Sequence, residues 1–70
     1  MISERLDKLV EEMVAKGVLF PEAVQEFEKR FIMRALGSCE GSLVRTADRL
    51  GIHRNTLARK MDEYKIRKRA

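Results

Sequence analysis

The sequence predicts an all-α protein of four helices. An N-terminal pair, residues 1–40, is expected to build a dimeric four-helix core with a second copy. A shorter C-terminal pair, residues 41–70, is crossed at a tight turn within the same compact unit. Three observations predict this. Apolar residues recur at helical period in four separate segments, and none alternates with the period of two that a half-buried strand requires. Gly17, Pro21, Gly41 and Gly51 fall between those segments, where helices stop and start. Finally, 70 residues with one cysteine and one histidine can build neither a disulfide nor a four-ligand zinc site. A chain this small then gains its stability from a partner.

The first helix is read from Ser3, its cap, to Lys16, with Gly17 as the stop. Ile2, Leu6, Leu9, Val10, Met13 and Val14 share one stripe, with Glu4, Lys8, Glu11 and Glu12 opposite. Val18-Leu19-Phe20 crosses as an apolar connector. Pro21 opens the second helix, where its missing N–H costs nothing, and Glu22 complements the dipole. This helix, Pro21 to Cys39, carries two apolar rows. Val24, Phe27, Phe31 and Ala35 form one; Ile32 and Leu36 form another, rotated by roughly 100°. A helix apolar over half its circumference meets the first helix on one side and the C-terminal pair on the other. A second copy covers what remains. Leu6, Leu9, Met13, Val24, Phe27 and Phe31 are the expected dimer core.

Glu40-Gly41-Ser42 breaks the pattern, and Ser42 can cap the third helix. Its inner face is expected to be Val44, Ala47 and Leu50, with Ala47 small enough for the next helix to cross closely. Gly51 permits a positive φ at the turn, and Ile52 plugs the corner. The fourth helix, Arg54 to Tyr64, buries Leu57, Met61 and Tyr64 and turns Asn55, Ala58, Arg59 and Asp62 outward. Lys65 to Arg69 reads as a frayed basic tail.

Charge divides sharply along the chain. Residues 1–41 carry six Lys/Arg against eight Asp/Glu, net −2; residues 42–70 carry nine against three, net +6. A basic segment on a near-neutral partner is the footprint of a polyanion-binding surface. Two short helices crossed at a glycine turn can present the second to a DNA major groove. Double-stranded DNA and a second copy are thus the expected partners.

Other classes fit poorly. No Gly-rich phosphate loop, metal-ligand cluster or nucleophile–base pair stands at a meaningful spacing, so no enzyme activity, cofactor, metal or small-molecule substrate is expected. The longest apolar stretch, Val18-Leu19-Phe20, is far short of a bilayer span. A basic start followed by an apolar run is absent, and the lone Cys39 suits a reducing, nucleoid-associated cytoplasmic location.

From about Pro21 to Ile66, and most closely from Ala35 onward, the chain resembles the Fis-type helix-turn-helix family. That family takes in small bacterial nucleoid proteins and the C-terminal DNA-binding domains of NtrC-like activators. The resemblance rests on Ala35-Leu36, Gly41-Ser42, Thr46-Ala47, Leu50-Gly51-Ile52, Arg54, Thr56-Leu57 and Lys60-Met61 at the family's spacing. It implies a homodimer whose fourth helices enter successive major grooves of a roughly palindromic site, often with bending. Three positions depart: Ser42 replaces the usual Asn, Thr46 the first of an Ala-Ala pair, and His53 a short polar cap.

The resemblance places a base-contacting Arg at Arg54, and Arg pairs bidentately with guanine. A basic residue at the DNA matches Arg59, while Asn55 suits a base contact or a plain helix surface. His53 suits a base contact or a cap. Ser42 and Arg45 stand where a helix N-terminus meets phosphate, and Thr56 and Lys60 match family positions that do so. Arg67, Lys68 and Arg69 add non-specific attraction. Asp62 and Glu63 imply that the far end of the fourth helix lifts off the backbone.

The expected function is sequence-preferring double-stranded DNA binding as a homodimer in bacterial transcription regulation, as the C-terminal domain of an NtrC-like activator or response regulator. One alternative is a free-standing Fis-like, DNA-bending nucleoid protein. A dimerisation module without DNA binding is another, although it predicts scattered charge rather than charge concentrated from Arg45 onward. A membrane-surface helix conflicts with the use of Leu57, Met61 and Tyr64 in the core.

Overall fold

A computed structural model describes residues 1–66 and contains four helices: α1 Ile2–Ala15, α2 Phe20–Ser38, α3 Leu43–Leu50 and α4 Arg54–Glu63. Among the described residues there is no strand. Pro21 sits in the first turn of α2, which begins one residue earlier than the sequence suggests. Each helix ends on a left-handed residue, at Gly17, Glu40, Gly51 and Lys65. In each case the next N–H reaches back to a carbonyl in the last turn: Val18 to Met13, Gly41 to Leu36, Ile52 to Ala47 and Ile66 to Met61. That bond satisfies an orphan carbonyl and reverses the chain sharply. Gly51 adopts φ 73° without a Cβ penalty, and so sets the crossing of α3 and α4.

The core lies in the C-terminal two thirds. Ile32 and Leu36 of α2, Ala47 of α3, and Leu57 and Met61 of α4 are buried together, with Leu43, Leu50, Ile52, Tyr64 and Ile66 packed against them. Cys39 is buried at the end of α2. Thr46 is fully buried, and its hydroxyl donates to the Ser42 carbonyl at 2.6 Å, so no donor is orphaned.

Three expectations require correction. Ser3 is no cap, because α1 begins at Ile2 with Met1 at the N-cap position. Val44 is 59 % exposed, and the inner face of α3 is Leu43, Ala47 and Leu50. The cap at Ser42 makes Leu43 the first helical residue, and positions i, i+4 and i+7 from it face inward. Ile66, assigned to the frayed tail, instead packs on the core behind the Lys65 turn. Arg67 to Arg69 lie outside the described residues.

Within one chain α1 buries nothing. Leu6, Leu9, Val10 and Met13 of α1 and Phe27 and Phe31 of α2 line an open groove of about 1080 Å³. Phe27 and Phe31 are 55 % and 54 % exposed, with ring centroids 5.4 Å apart. The arrangement is correspondingly open. The radius of gyration is 13.6 Å, against roughly 11 Å for a compact domain of this length.

Candidate nucleic-acid interface

The outward surface of the C-terminal pair is built by two caps and one turn. Ser42 begins α3, its Oγ accepting the Arg45 backbone N–H at 3.2 Å. The Ser42 hydroxyl keeps its own proton to donate to another acceptor. His53 begins α4, its Nδ1 accepting the Asn55 N–H at 3.0 Å. With Nδ1 an acceptor, the neutral ring carries its proton on Nε2, away from the helix. Gly51 ends α3, and the His53 cap of α4 follows two residues later, while the Ser42 cap stands at the opposite end of α3.

The register of α4 follows from its buried side. Leu57 is fully buried and Met61 nearly so. At roughly 100° per residue, Asn55 and Arg59 then fall on the opposite face. Both are exposed, as are Arg54 in the first turn and Ala58 between them. Thr56 is half-buried on the flank. Asn55 and Arg59 thus share one outward face, while Arg54, roughly 60° from Leu57 by the same count, is exposed at the first turn of the helix beside His53.

The expected phosphate contacts are less uniform. Arg45 is exposed, and its guanidinium lies 3.8 Å from Glu40. Both partners are solvated, so that pair is weak and leaves Arg45 available. Lys60 is different. Its ammonium donates to Glu28 Oε1 at 2.9 Å, and the Tyr64 hydroxyl donates to the same oxygen at 2.6 Å. Lys60 is only 29 % exposed and turned toward α2 rather than outward. The bonds from Lys60 and Tyr64 hold the Glu28 carboxyl below its usual range, while the Glu28 carboxylate pushes Tyr64 up to about 12. Sequence reasoning missed Glu28, because its partners lie 32 and 36 residues away and no local period links them.

Residues 42–66 carry six Lys/Arg against three Asp/Glu, so the described surface is basic without the tail. Two of the acids, Asp62 and Glu63, sit exposed at the far end of α4. The cationic face is therefore biased toward the first two turns. Among the described residues no group of His, Cys, Asp and Glu could hold a metal, and no helix is long and apolar enough to cross a membrane.

Comparison with known proteins agrees with this geometry. The family described as "Bacterial regulatory protein, Fis family" matches residues 23–64, which run from the first turns of α2 to the end of α4. The chain belongs to the Fis family. Two curated relatives, from Xylella fastidiosa strains Temecula1 and 9a5c, are each 41 % identical over 46 residues and are named Fis-like DNA-binding proteins. The matched stretch is 66 % of this chain and 51 % of each relative, so the chain spans about half the length of the relatives it matches. No solved structure gives a significant match. α1 lies outside the Fis-family match, and it is also the helix that buries nothing.

Proposed function

We propose that this chain binds double-stranded DNA with sequence preference, as a homodimer, in bacterial transcription regulation at the nucleoid. The observation that carries the reading is the outward face of α4, where Asn55 and Arg59 stand opposite buried Leu57 and Met61, with Arg54 exposed at the first turn. The names of the matched relatives support DNA as the ligand. The first turns of α4 enter a major groove, with Arg54 bidentate to guanine and Asn55 and Arg59 at neighbouring bases or phosphates. His53 Nε2 stands at the groove's edge. Ser42, Arg45 and Thr56 take phosphates on either side, and these contacts fix register without carrying sequence information. Lys60 contributes less, because its charge is already matched by Glu28.

Dimerisation has independent support. The accessible surface is 6137 Å², well above the roughly 4500 Å² expected of a compact monomer of this mass. The excess includes the groove lined by Leu6, Leu9, Met13, Phe27 and Phe31, with Val24 beside it in the same exposed row. A second copy laying the same helices into that groove forms a self-complementary four-helix core. The two α4 helices then reach half-sites about one helical turn, ~34 Å, apart.

The chain acts as the C-terminal domain of an NtrC-like activator. The names of its relatives favour a second reading, a small free-standing Fis-like protein. The length of the native open reading frame separates the two.

The test is a salt titration of duplex binding by fluorescence anisotropy. Affinity is expected to fall linearly on a log–log plot, with a slope near −0.9 per phosphate neutralised. Arg45→Ala is expected to weaken binding to all sequences alike and to flatten the slope by about one unit. Absence of duplex binding near 50 mM salt, the low end of the useful range, defeats the reading and leaves a dimerisation module.

A further inference from the structure

The geometry points to Glu28, a residue of α2 remote from the reading face, as the positioning residue that sets the orientation of α4 and hence the register of its base contacts. The inference rests on the DNA-binding reading above. Among the described residues, the side-chain hydrogen bonds that join one helix to another are the two made by Glu28. Both end on Oε1, and their donors stand at i and i+4, Lys60 in the last turn of α4 and Tyr64 at its C-cap. Two donors one turn apart on a single acceptor oppose both rotation and sliding of the helix. Apolar packing does not do this so well, since burial is non-directional and Leu57 and Met61 can repack. α4 packs on the eight-residue α3 and shares the apolar core with Ile32 and Leu36 of α2, and the Glu28 link is the directional part of its tie to α2.

The lever is large enough to matter. Side-chain tips stand roughly 5–6 Å from a helix axis, so a rotation of about 20° moves them by about 2 Å. Base hydrogen bonds tolerate only a few tenths of an ångström around 2.7–3.2 Å. A slackened α4 therefore loses Arg54, Asn55 and Arg59 as base readers while keeping its charge. Phosphate attraction survives such motion, because it depends on charge more than on angle.

The experiment compares wild type, Glu28→Gln, Tyr64→Phe and the Glu28→Ala/Tyr64→Phe double variant. Two duplexes serve as probes: the tightest-binding 30-mer selected by wild type from a random library, and the unselected pool. The double variant is expected to lose at least about tenfold on the selected duplex relative to the pool, the scale of one lost base contact, with pool affinity no lower than wild type, since loss of the Glu28 charge frees Lys60. Glu28→Gln keeps a carbonyl that accepts from both donors, and is expected to restore most of the selected-to-pool ratio. Should the double variant not fold, Tyr64→Phe alone still carries the test, with the same sign and a smaller loss. Equal losses on both probes, or an unchanged ratio, overturn the inference while DNA binding stands. Failure of wild type to enrich any duplex overturns the DNA reading, and this inference with it.

Discussion

His53 Nδ1 accepts the Asn55 backbone N–H at 3.0 Å, and this bond starts the helix on which Asn55 and Arg59 stand outward. Without it a backbone donor at the first turn has no intrahelical partner. His53→Ala is expected to cost about 1 kcal/mol of stability, the usual value of a lost N-cap. His53→Asp keeps a capping acceptor and adds a charge favourable to the helix dipole, so stability is expected to hold. Affinity for duplex DNA is expected to fall in that variant, because a carboxylate then faces phosphate. Denaturant melts and anisotropy on the same samples check the split; parallel losses in both assays for His53→Asp contradict it.

The two caps also show what the sequence could and could not disclose. Ser42 as cap, the Gly51 turn and the Leu57/Met61/Tyr64 stripe follow from local spacing, and all appear in the structure. Val44 was misplaced because Leu43 and Val44 are equally apolar, and one residue rotates the face by roughly 100°. The Glu28 link was not legible, since α2 and α4 meet only in three dimensions. For His53 the sequence left a base contact, a cap and packing open, since imidazole can serve as each, and the structure shows the capping bond. Asn55 and Arg59 fell on one outward face by helical arithmetic alone, whereas Arg54 owes its exposure to its place in the first turn.

Stability is expected to depend on pH at both ends through Glu28 and Tyr64. The bonds from Lys60 and then Tyr64 depress the Glu28 carboxyl below its ordinary 4.5. Its contribution is complete above that value and is lost as pH falls through the lower folded value. Tyr64, raised from 10.0 to about 12 chiefly by donating to Glu28, behaves oppositely: its contribution is complete below 10.0 and is lost as pH rises to about 12. Thermal melts across pH are expected to show a flatter acid limb for Glu28→Gln and a flatter alkaline limb for Tyr64→Phe. Limbs superimposable on wild type would show that the network contributes nothing to folding.

Arg54 separates sequence reading from attraction. It is exposed in the first turn of α4 and has no acidic partner among the described ion pairs. Arg54→Ala is expected to cost about 1–3 kcal/mol on a selected duplex, the value of a bidentate guanine contact, and little on random DNA. Competition titrations at one fixed salt measure both. Equal losses on the two duplexes make Arg54 a phosphate contact.

Dimerisation gives the sharpest prediction because the isolated chain sets a clear baseline. Phe27 and Phe31 are each more than half exposed there, and α1 has no buried residue at all. On a monomer, replacing an exposed ring changes stability by no more than about 0.5 kcal/mol. In a dimer whose core is this groove, the same ring is buried, and Phe→Ala costs about 3–5 kcal/mol. Phe31→Ala therefore reads out assembly directly: a loss of several kcal/mol places the ring in an interface. The wild-type melting temperature is expected to rise with protein concentration, since mass action couples folding to association. Sedimentation is expected to give a dimer for wild type and a shift toward monomer for Phe31→Ala. A helical monomer at micromolar concentration, with a melting temperature independent of concentration and insensitive to Phe31→Ala, rules the dimer out.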